Sequence, residues 1–438
     1  MSFTNYVESG PSLLTGAARI CGTFRLEGTS MTVANTLRRA ILTETRSVGF
    51  RADLTDPTNP GIRINKNTSV VFNEMLAHRL TLLPLGVVRI DDFKPERYEC
   101  VLRKRHDGSA VAATAPLHVK ASDFQLREKQ EDGTWVDLPT AAVEAMFPAD
   151  PITRDTSLLV TLRPQWNPEQ PPEEVDLVAY PVVAKGRDFM GFSPVAQATF
   201  GNTIDPDPVR QERFFYDWMA AYKKVSEPSS LPPEVLERHR KEWQTMAVQR
   251  CFIVDEFGEP TSFDFTVESV GIRPVPDIVA EALRAVIDLV RPYASAETAM
   301  EELGIRAQPP DSRMVGIDLN FDGQEHTLGC LLQAFITELY LDSASTADTP
   351  IAFVGYKVKH PLKREVTLRF GMRDASASAS SEATVGVARQ AVAAAAARAV
   401  TVFEELGRSW ASVAGPGFGP GPAASGASGA GAGTALEG

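Results

Sequence analysis

The chain has 438 residues, 43% of them hydrophobic and 23% charged, and a net charge of −12 from 44 basic and 56 acidic side chains. That is more than one ordinary domain, with ample chain for two sizeable cores, and the composition is that of a soluble globular protein. A chain that grips nucleic acid by itself needs a basic surplus to neutralise phosphates, so the acidic balance points to protein partners, or to nucleic acid met only at a local patch.

No apolar run is long enough to span a bilayer, and the N-terminus lacks the basic and apolar regions of a signal peptide. The four cysteines, Cys21, Cys100, Cys251 and Cys330, are scattered without a C-x-x-C pair. This argues against a disulfide framework and a cysteine zinc site, and makes an intracellular, reducing compartment the default.

In chain order, Met1–Ala18 shows no period and reads as an irregular arm. Arg19–Glu27 alternates as a strand, with Ile20, Gly22, Phe24 and Leu26 on one face. Ser30 is a suitable N-cap for a helix running to about Thr45, whose Ala34, Leu37 and Ile41 share a face while Asn35, Arg38 and Arg39 point elsewhere. Asp53–Gly61 is a loop by composition. After Ile64–Ser69 a second helix runs to about Leu82 with Phe72, Met75, Leu76, Leu80 and Leu83 as its apolar face, and Pro84 stops it. From Gly86 to about Phe200 the chain is mostly short β-prone runs (Tyr98–Lys104, Leu117–Val119, Leu158–Leu162, Val175–Val183), with a Pro/Glu-rich loop at Arg163–Glu174.

Asp205–Gln249 switches to charged, aromatic helical sequence. Two strands are expected next, Arg250–Asp255 and Thr261–Val270. Pro276 then opens a helix with Val279, Leu283, Val286 and Val290 along one stripe. Ala294–Ser312 reads as a linker with a short helical piece. Met314–Leu341 holds a strand and a helix whose Leu328, Leu331, Leu332, Phe335 and Leu339 share a face. Two alternating strands follow, Ile351–Lys359 and Glu365–Met372, then a small-residue spacer, Ala375–Ser381. An Ala-rich helix from Glu382 to about Trp410 follows. From Gly415 onward Gly, Ala, Pro and Ser predict disorder.

One motif occurs twice. Phe24-Arg25-Leu26-Glu27-Gly28 followed by Thr32–Leu37 is echoed by Leu319-Asn320-Phe321-Asp322-Gly323 followed by Thr327–Leu332, at a constant offset of 295 residues. Each copy is a strand, an acid-Gly turn and a helix, and a helix showing one apolar face needs a partner to bury it. Two such units in one chain predict a folded-back pseudo-dimer.

No catalytic constellation emerges. Asp318–Gly323 matches the start of a calcium loop, but the twelfth position, which needs a bidentate Glu, is Gly329. One turn carboxylate falls short of the convergent set that two-metal chemistry needs. There is no His pair at metal-binding spacing, no nucleophile elbow around Ser193, and no phosphate-cradling glycine loop. His78 and His326 lie at the two helices of interest and read as structural or interfacial. The basic cluster Arg38, Arg39, Arg46 and Arg51 reads as a protein contact ahead of a phosphate site.

Asn35–Ile41, followed by Asn67–Val70, Glu74-x-Leu76-Ala77-His78-Arg79-Leu80 and Leu83–Leu85, closely resembles the alpha-like assembly subunit of cellular RNA polymerases. That group takes in the bacterial alpha N-terminal domain, the archaeal D subunit and the third subunit of RNA polymerase II. Leu162–Pro164, Phe192–Ala196 and Phe265–Gly271 match it in order. The C-terminal part resembles its smaller partner, the archaeal L subunit or eleventh subunit of polymerase II, through His326–Gly329, Phe353–Tyr356 and His360–Leu362. A tandem fusion of the two resembles the arrangement in large DNA viruses.

The resemblance implies an α+β fold of two alpha-like dimerisation modules, the first carrying a mostly β insert. The divisions are 1–50 with 201–308, the insert 51–200, the smaller module 309–411 and a tail 412–438. It implies a non-catalytic assembly platform docking the second-largest and largest polymerase subunits, with small adaptor subunits at its flanks and DNA met only through the complex. Interface residues carried over are Asn35, Leu37, Arg38, Arg39, Ile41, Glu74, His78 and Arg79, with His326, Leu328, Leu332 and Phe335 from the second copy. Some relatives hold zinc or an iron–sulfur cluster in the insert; with only Cys100 there, no metal or cofactor is expected. The location follows as nuclear, or host nucleus, cytoplasm or virion for a viral protein. A stand-alone scaffold reusing the fold is the alternative, and an enzyme with a site in the β insert a third reading.

Overall fold

A computed structural model of the chain describes residues 1–10, 20–52, 61–87, 89–106, 115–165, 169, 171–225, 231–310, 314–342, 349–373 and 382–415. The loop expected at Asp53–Gly61 (Gly61 apart), the spacer at Ala375–Ser381 and the tail beyond Gly415 lie outside the described residues.

The chain begins with a strand, β1 (Ser2–Ser9), where an irregular arm was expected. It pairs antiparallel with β2 (Cys21–Glu27), and a register shift between Thr4 and Val7, with Asn5 at φ 55°, breaks the alternation that would have betrayed it. Helix α1 (Met31–Thr43) follows, its N-cap Ser30 accepting from the Val33 amide. Strand β3 (Arg46–Phe50), absent from the sequence reading, leads into β4 (Ile62–Asn67) and α2 (Asn73–Thr81). Next come β5 (Tyr98–Arg105), β6 (Leu117–Lys120), β7 (Gln125–Lys129), β8 (Trp135–Asp137), α3 (Thr140–Met146) and β9 (Leu158–Leu162). The expected single run Val175–Val183 divides into β10 (Glu174–Ala179) and β11 (Pro181–Lys185), which serve different sheets.

Strand β12 (Val195–Asn202) is followed by α4 (Pro208–Trp218) and α5 (Pro233–Met246), the helical block read from composition. Arg250–Asp255 is not the strand expected: Phe252 and Val254 make only isolated bridges. Strand β13 (Ser262–Ser269) and helix α6 (Val275–Val290) close the first unit. Within the supposed linker Ala294–Ser312 lies an edge strand, β14 (Ile305–Gln308), paired with β15 (Gly316–Asp322). Helix α7 (His326–Tyr340), β16 (Ile351–Val358), β17 (Glu365–Met372) and the 33-residue α8 (Glu382–Ala414) complete the chain. By length and composition α8 does suit a bilayer, against the sequence reading. Its alanine-rich face is instead buried against α6 and α7, where small side chains let helices approach closely.

The architecture is α+β, and it contains a structural repeat. One four-stranded antiparallel sheet runs β1-β2-β13-β12 and another β14-β15-β17-β16, the same order of equivalent strands. The offset of 295 carries the bounds of β2 onto those of β15 and the first residue of α1 onto that of α7. The turn glycines Gly28 and Gly323 both take positive φ, 69° and 72°, a conformation that costs any residue with a Cβ. Register repeats too: Phe24 pairs with Phe265 and Leu26 with Phe263, as Leu319 pairs with Leu368 and Phe321 with Val366.

One continuous core joins both units, from Phe3, Leu26 and Leu37 through Val286 to Leu332, Phe370 and Trp410. A second core lies under the five-stranded sheet β4-β10-β5-β7-β8 with α2, α3 and the β6–β9 pair. A third, small one is formed by Phe215, Met219, Trp243, Ala247 and Cys251 between α4 and α5. The first unit therefore carries two excursions that the second lacks, one between α1 and β12 and one between β12 and β13.

Candidate functional site

The junction of the two units is built by four helices, α6 against α8 and α1 against both α6 and α7. Leu37 and Ile41 of α1, and Leu328, Leu332 and Phe335 of α7, are all buried in the shared core. Gly329 sits close against its own sheet: a Cβ there would stand 2.8 Å from the Tyr356 ring and 2.9 Å from Val366, so one of those side chains would have to shift. The position 295 residues earlier is Ala34, also fully buried.

Aromatic side chains lock the junction from both sides. Trp410 of α8 lies edge-on to Phe24 (4.9 Å), Phe3 (5.0 Å) and Tyr6 (5.3 Å) of the first sheet, and its Nε1 donates to the Pro276 carbonyl at 3.0 Å. Reciprocally Tyr293, just past α6, packs edge-on to Phe321 of the second sheet at 5.5 Å. The Phe3 amide donates to Ser409 Oγ at 2.8 Å, so β1 is tied to the end of α8.

The two arginines of α1 have different surroundings. Arg39 Nε donates to Thr327 Oγ1 at 2.8 Å, crossing from the first unit to the start of α7. Arg38 donates from Nε and Nη2 to Asn35 Oδ1, at 3.1 and 2.9 Å, within its own helix. Burial, then the neighbouring Arg39 charge, lower the Arg38 pKa. Among the described residues no carboxylate forms an ion pair with it, so a half-buried cation stands on the outer edge of α1.

The residues expected on α2 form a separate set. Glu74, His78 and Arg79 are exposed, and Arg79 Nη1 donates to the Leu159 carbonyl at 2.9 Å. Helix α2 packs on β3, β4 and β9 through Leu76, Ala77 and Leu80, away from the α1–α7 contact. Phe72 and Met75, expected on its buried face, are instead 73% and 55% exposed. With Val70 and Leu82, also exposed, they form an apolar strip on the outer side of the helix. His326 is exposed at the head of α7, its ring 5.9 Å from Tyr356.

The basic cluster read from sequence is not one site. Arg46 Nε bonds Glu281 Oε1 and its Nη2 bonds Asp91, both at 2.7 Å, while Arg51 is exposed beyond β3. Glu281 also accepts from Arg273 Nη1 at 2.5 Å, and both partners of that pair are buried. Burial alone would raise the Glu281 carboxyl, but Arg273 and Arg46 outweigh it and hold the pKa below its ordinary value. Sequence reasoning missed this triad; its signal was a lone carboxylate amid Ile278, Val279, Ala282 and Leu283. The calcium-like Asp318 is fully buried and forked onto Arg369, with both contacts at 2.7 Å.

Cys100 is buried beside Met146 Sδ, and burial pushes its thiol pKa up. Among the described residues no group of three His, Cys, Asp or Glu side chains is placed to hold a metal.

The RNA polymerase Rpb3/Rpb11 dimerisation domain model matches residues 23–290, more than half of the chain, ending at the last residue of α6. The chain is 26% identical over 297 residues to DNA-directed RNA polymerases I and III subunit RPAC1 of Bos taurus, covering 60% of this chain and 78% of that one. It is 26% identical over 310 residues to DNA-directed RNA polymerases II, IV and V subunit 3 of Arabidopsis thaliana, covering 64% and 90%. To DNA-directed RNA polymerase II subunit RPB3 of Schizosaccharomyces pombe it is 27% identical over 268 residues, covering 60% and 78%. Equivalent strands in the same order, a shared helical core and a match across most of the first unit and its insert converge: the chain belongs to the RNA polymerase Rpb3/Rpb11 dimerisation-domain family.

Proposed function

We propose that this chain is a non-catalytic assembly-platform subunit of a DNA-directed RNA polymerase in which both members of the dimerisation pair are fused. The repeat carries this reading. A second unit with the strand order and register of the first, packed on it through one core, occupies the place that a separate partner chain would otherwise fill. Fusion makes the pairing intramolecular and independent of subunit concentration.

The division that fits is a larger module from the N-terminal strands through α1, β12, β13 and α6, with its β insert between α1 and β12. The smaller module starts before β14, since that strand pairs with β15, and ends with α8. The fusion is of the kind found in large DNA viruses, and the location is intracellular, with the polymerase.

Docking of the second-largest and then the largest subunit falls to surfaces that the fold leaves unfilled. Arg38 offers donors without a carboxylate on the chain's own described residues, and guanidinium–carboxylate pairs are strong and geometrically specific. The Phe72–Met75–Leu82 strip offers apolar area beside Glu74, His78 and Arg79. In this reading the nucleotide chemistry falls to the large partners.

Purification of the tagged chain from its native source tests this. Co-purification of both large polymerase subunits is expected. Recovery of the chain alone, or with proteins unrelated to transcription, refutes the assembly role and favours a stand-alone scaffold.

A further inference from the structure

Beyond the α1–α7 junction, a cleft of about 440 Å³ opens where the C-terminal end of α1 meets β3, the end of β11 and the outer face of α6. Its lining is four cations, Arg46, Lys185, Arg187 and Arg284, with three carboxylates, Glu44, Glu281 and Asp288, over an apolar floor of Ala285 and Leu289. The two buried carboxylates are already engaged. Glu281 binds Arg46 and Arg273, and Glu44 stands 3.5 Å from Lys185 and 3.3 Å from Arg187. Asp288 is exposed to water.

Arg284 Nε is buried without a hydrogen bond, and Arg187 Nε has only its 3.3 Å ion-pair contact with Glu44. Among the described residues Arg284 has no ion pair. Buried polar groups are almost always satisfied, so the unmet Arg284 donor at this opening marks a missing acceptor. The acceptor that suits guanidinium donors is a planar or tetrahedral oxyanion. The Ala285–Leu289 floor further favours one carried on a short hydrocarbon stem. Glu44 is also the C-cap of α1, so the cleft lies at the C-terminal end of that helix.

We propose that this cleft receives an acidic side chain, aspartate or glutamate, from a partner subunit of the polymerase, with Arg284 and Arg187 as its donors. This rests on the assembly role above. The incoming carboxylate takes up the free Arg284 N–H and shares Arg187 with Glu44, and its methylene stem lies on Leu289. Small free anions share the oxyanion chemistry and are separated from it by experiment.

The test uses the complete complex, purified through the full chain with Asp288→p-benzoylphenylalanine at the rim of the cleft. Irradiation is expected to join this position to another polymerase subunit within a segment bearing Asp or Glu. Arg284→Glu should lower that yield by roughly tenfold or more through like-charge repulsion. Arg284→Lys should retain most of it, and Arg284→Gln, which adds no like charge beside Glu281 and Asp288, should lower it while leaving the melting temperature of the isolated chain unchanged. Crosslinks confined to this chain, a joined segment without acidic residues, or full yield in Arg284→Glu overturn the proposal while leaving the assembly role standing. Millimolar inorganic phosphate that raises the melting temperature of the wild-type chain but not of Arg284→Glu, with no inter-subunit crosslink, makes the cleft a free-anion site and also overturns it. Absence of polymerase subunits from the preparation removes the assembly role and this proposal together.

Discussion

Replacing Trp410 by alanine probes the bond between the two modules at its most concentrated point. The indole is fully buried, touches three rings of the first sheet and donates to Pro276. Deleting a buried Trp costs about 3–5 kcal/mol, a figure that includes the lost edge-to-face contacts and the cavity left behind. At about 2–4 °C per kcal/mol for a folding unit of this size, the melting temperature should fall by about 6–20 °C. Trp410→Phe keeps most of the apolar body and loses the N–H, so its penalty should be smaller, near the roughly 1 kcal/mol of a hydrogen bond plus a partial cavity. A second assay isolates the junction from global stability: fragments 1–294 and 295–438, divided so that β14 stays with its sheet, should associate when mixed. Trp410→Ala should weaken that association by about two to nearly four decades. Fragments that ignore one another, or a variant that melts and associates like wild type, would refute the idea that the C-terminal end of α8 anchors the modules.

Other outcomes follow from the same geometry. Leu37→Ala should destabilise the chain by roughly 2–5 kcal/mol in a thermal melt, as a large-to-small change in a buried site does. Arg38→Ala should leave the melt nearly unchanged yet reduce co-purification of the second-largest subunit, whereas Arg39→Ala should lose about 1 kcal/mol of fold stability with its bond to Thr327. Glu281→Ala strands Arg273 and should cost about 3–5 kcal/mol by denaturant titration. Because the Glu281 pKa is held below its ordinary 4.5, its contribution is present above that pH and is lost as pH falls through the folded value, so Glu281→Gln should flatten the acid limb of stability against pH. Phe72→Ser with Met75→Ser should not shift the melt, since both side chains already face solvent, but should weaken docking in a pull-down; a large drop in melting temperature would show the strip to be core.

Much of the fold was legible because strand and helix periods are written plainly in the two motif copies. The offset of 295 marked both the turn glycines and the register of whole strands. What escaped notice had physical causes. Strand β1 hides its alternation behind the Asn5 irregularity, and β14 has only four residues, Ile305–Gln308, pairing along one edge. Arg250–Asp255 has strand-like composition but finds only single bridges. Phe72 and Met75 show that an apolar residue in helical phase need not face its own core. Site residues were legible as helix positions, but partners were not: nothing in the sequence separates Arg39, bonded across the junction, from Arg38 beside it. Nor does a lone Glu281 in an apolar stripe name Arg46, more than two hundred residues earlier, as its counter-ion.

The most direct measurement is native mass spectrometry of the polymerase purified through this chain. The fused assembly predicts one copy of the chain beside one each of the two largest subunits, with no separate small alpha-like subunit. Two copies of this chain per complex, or one copy with a separate small alpha-like partner, would contradict an intramolecular pair of modules.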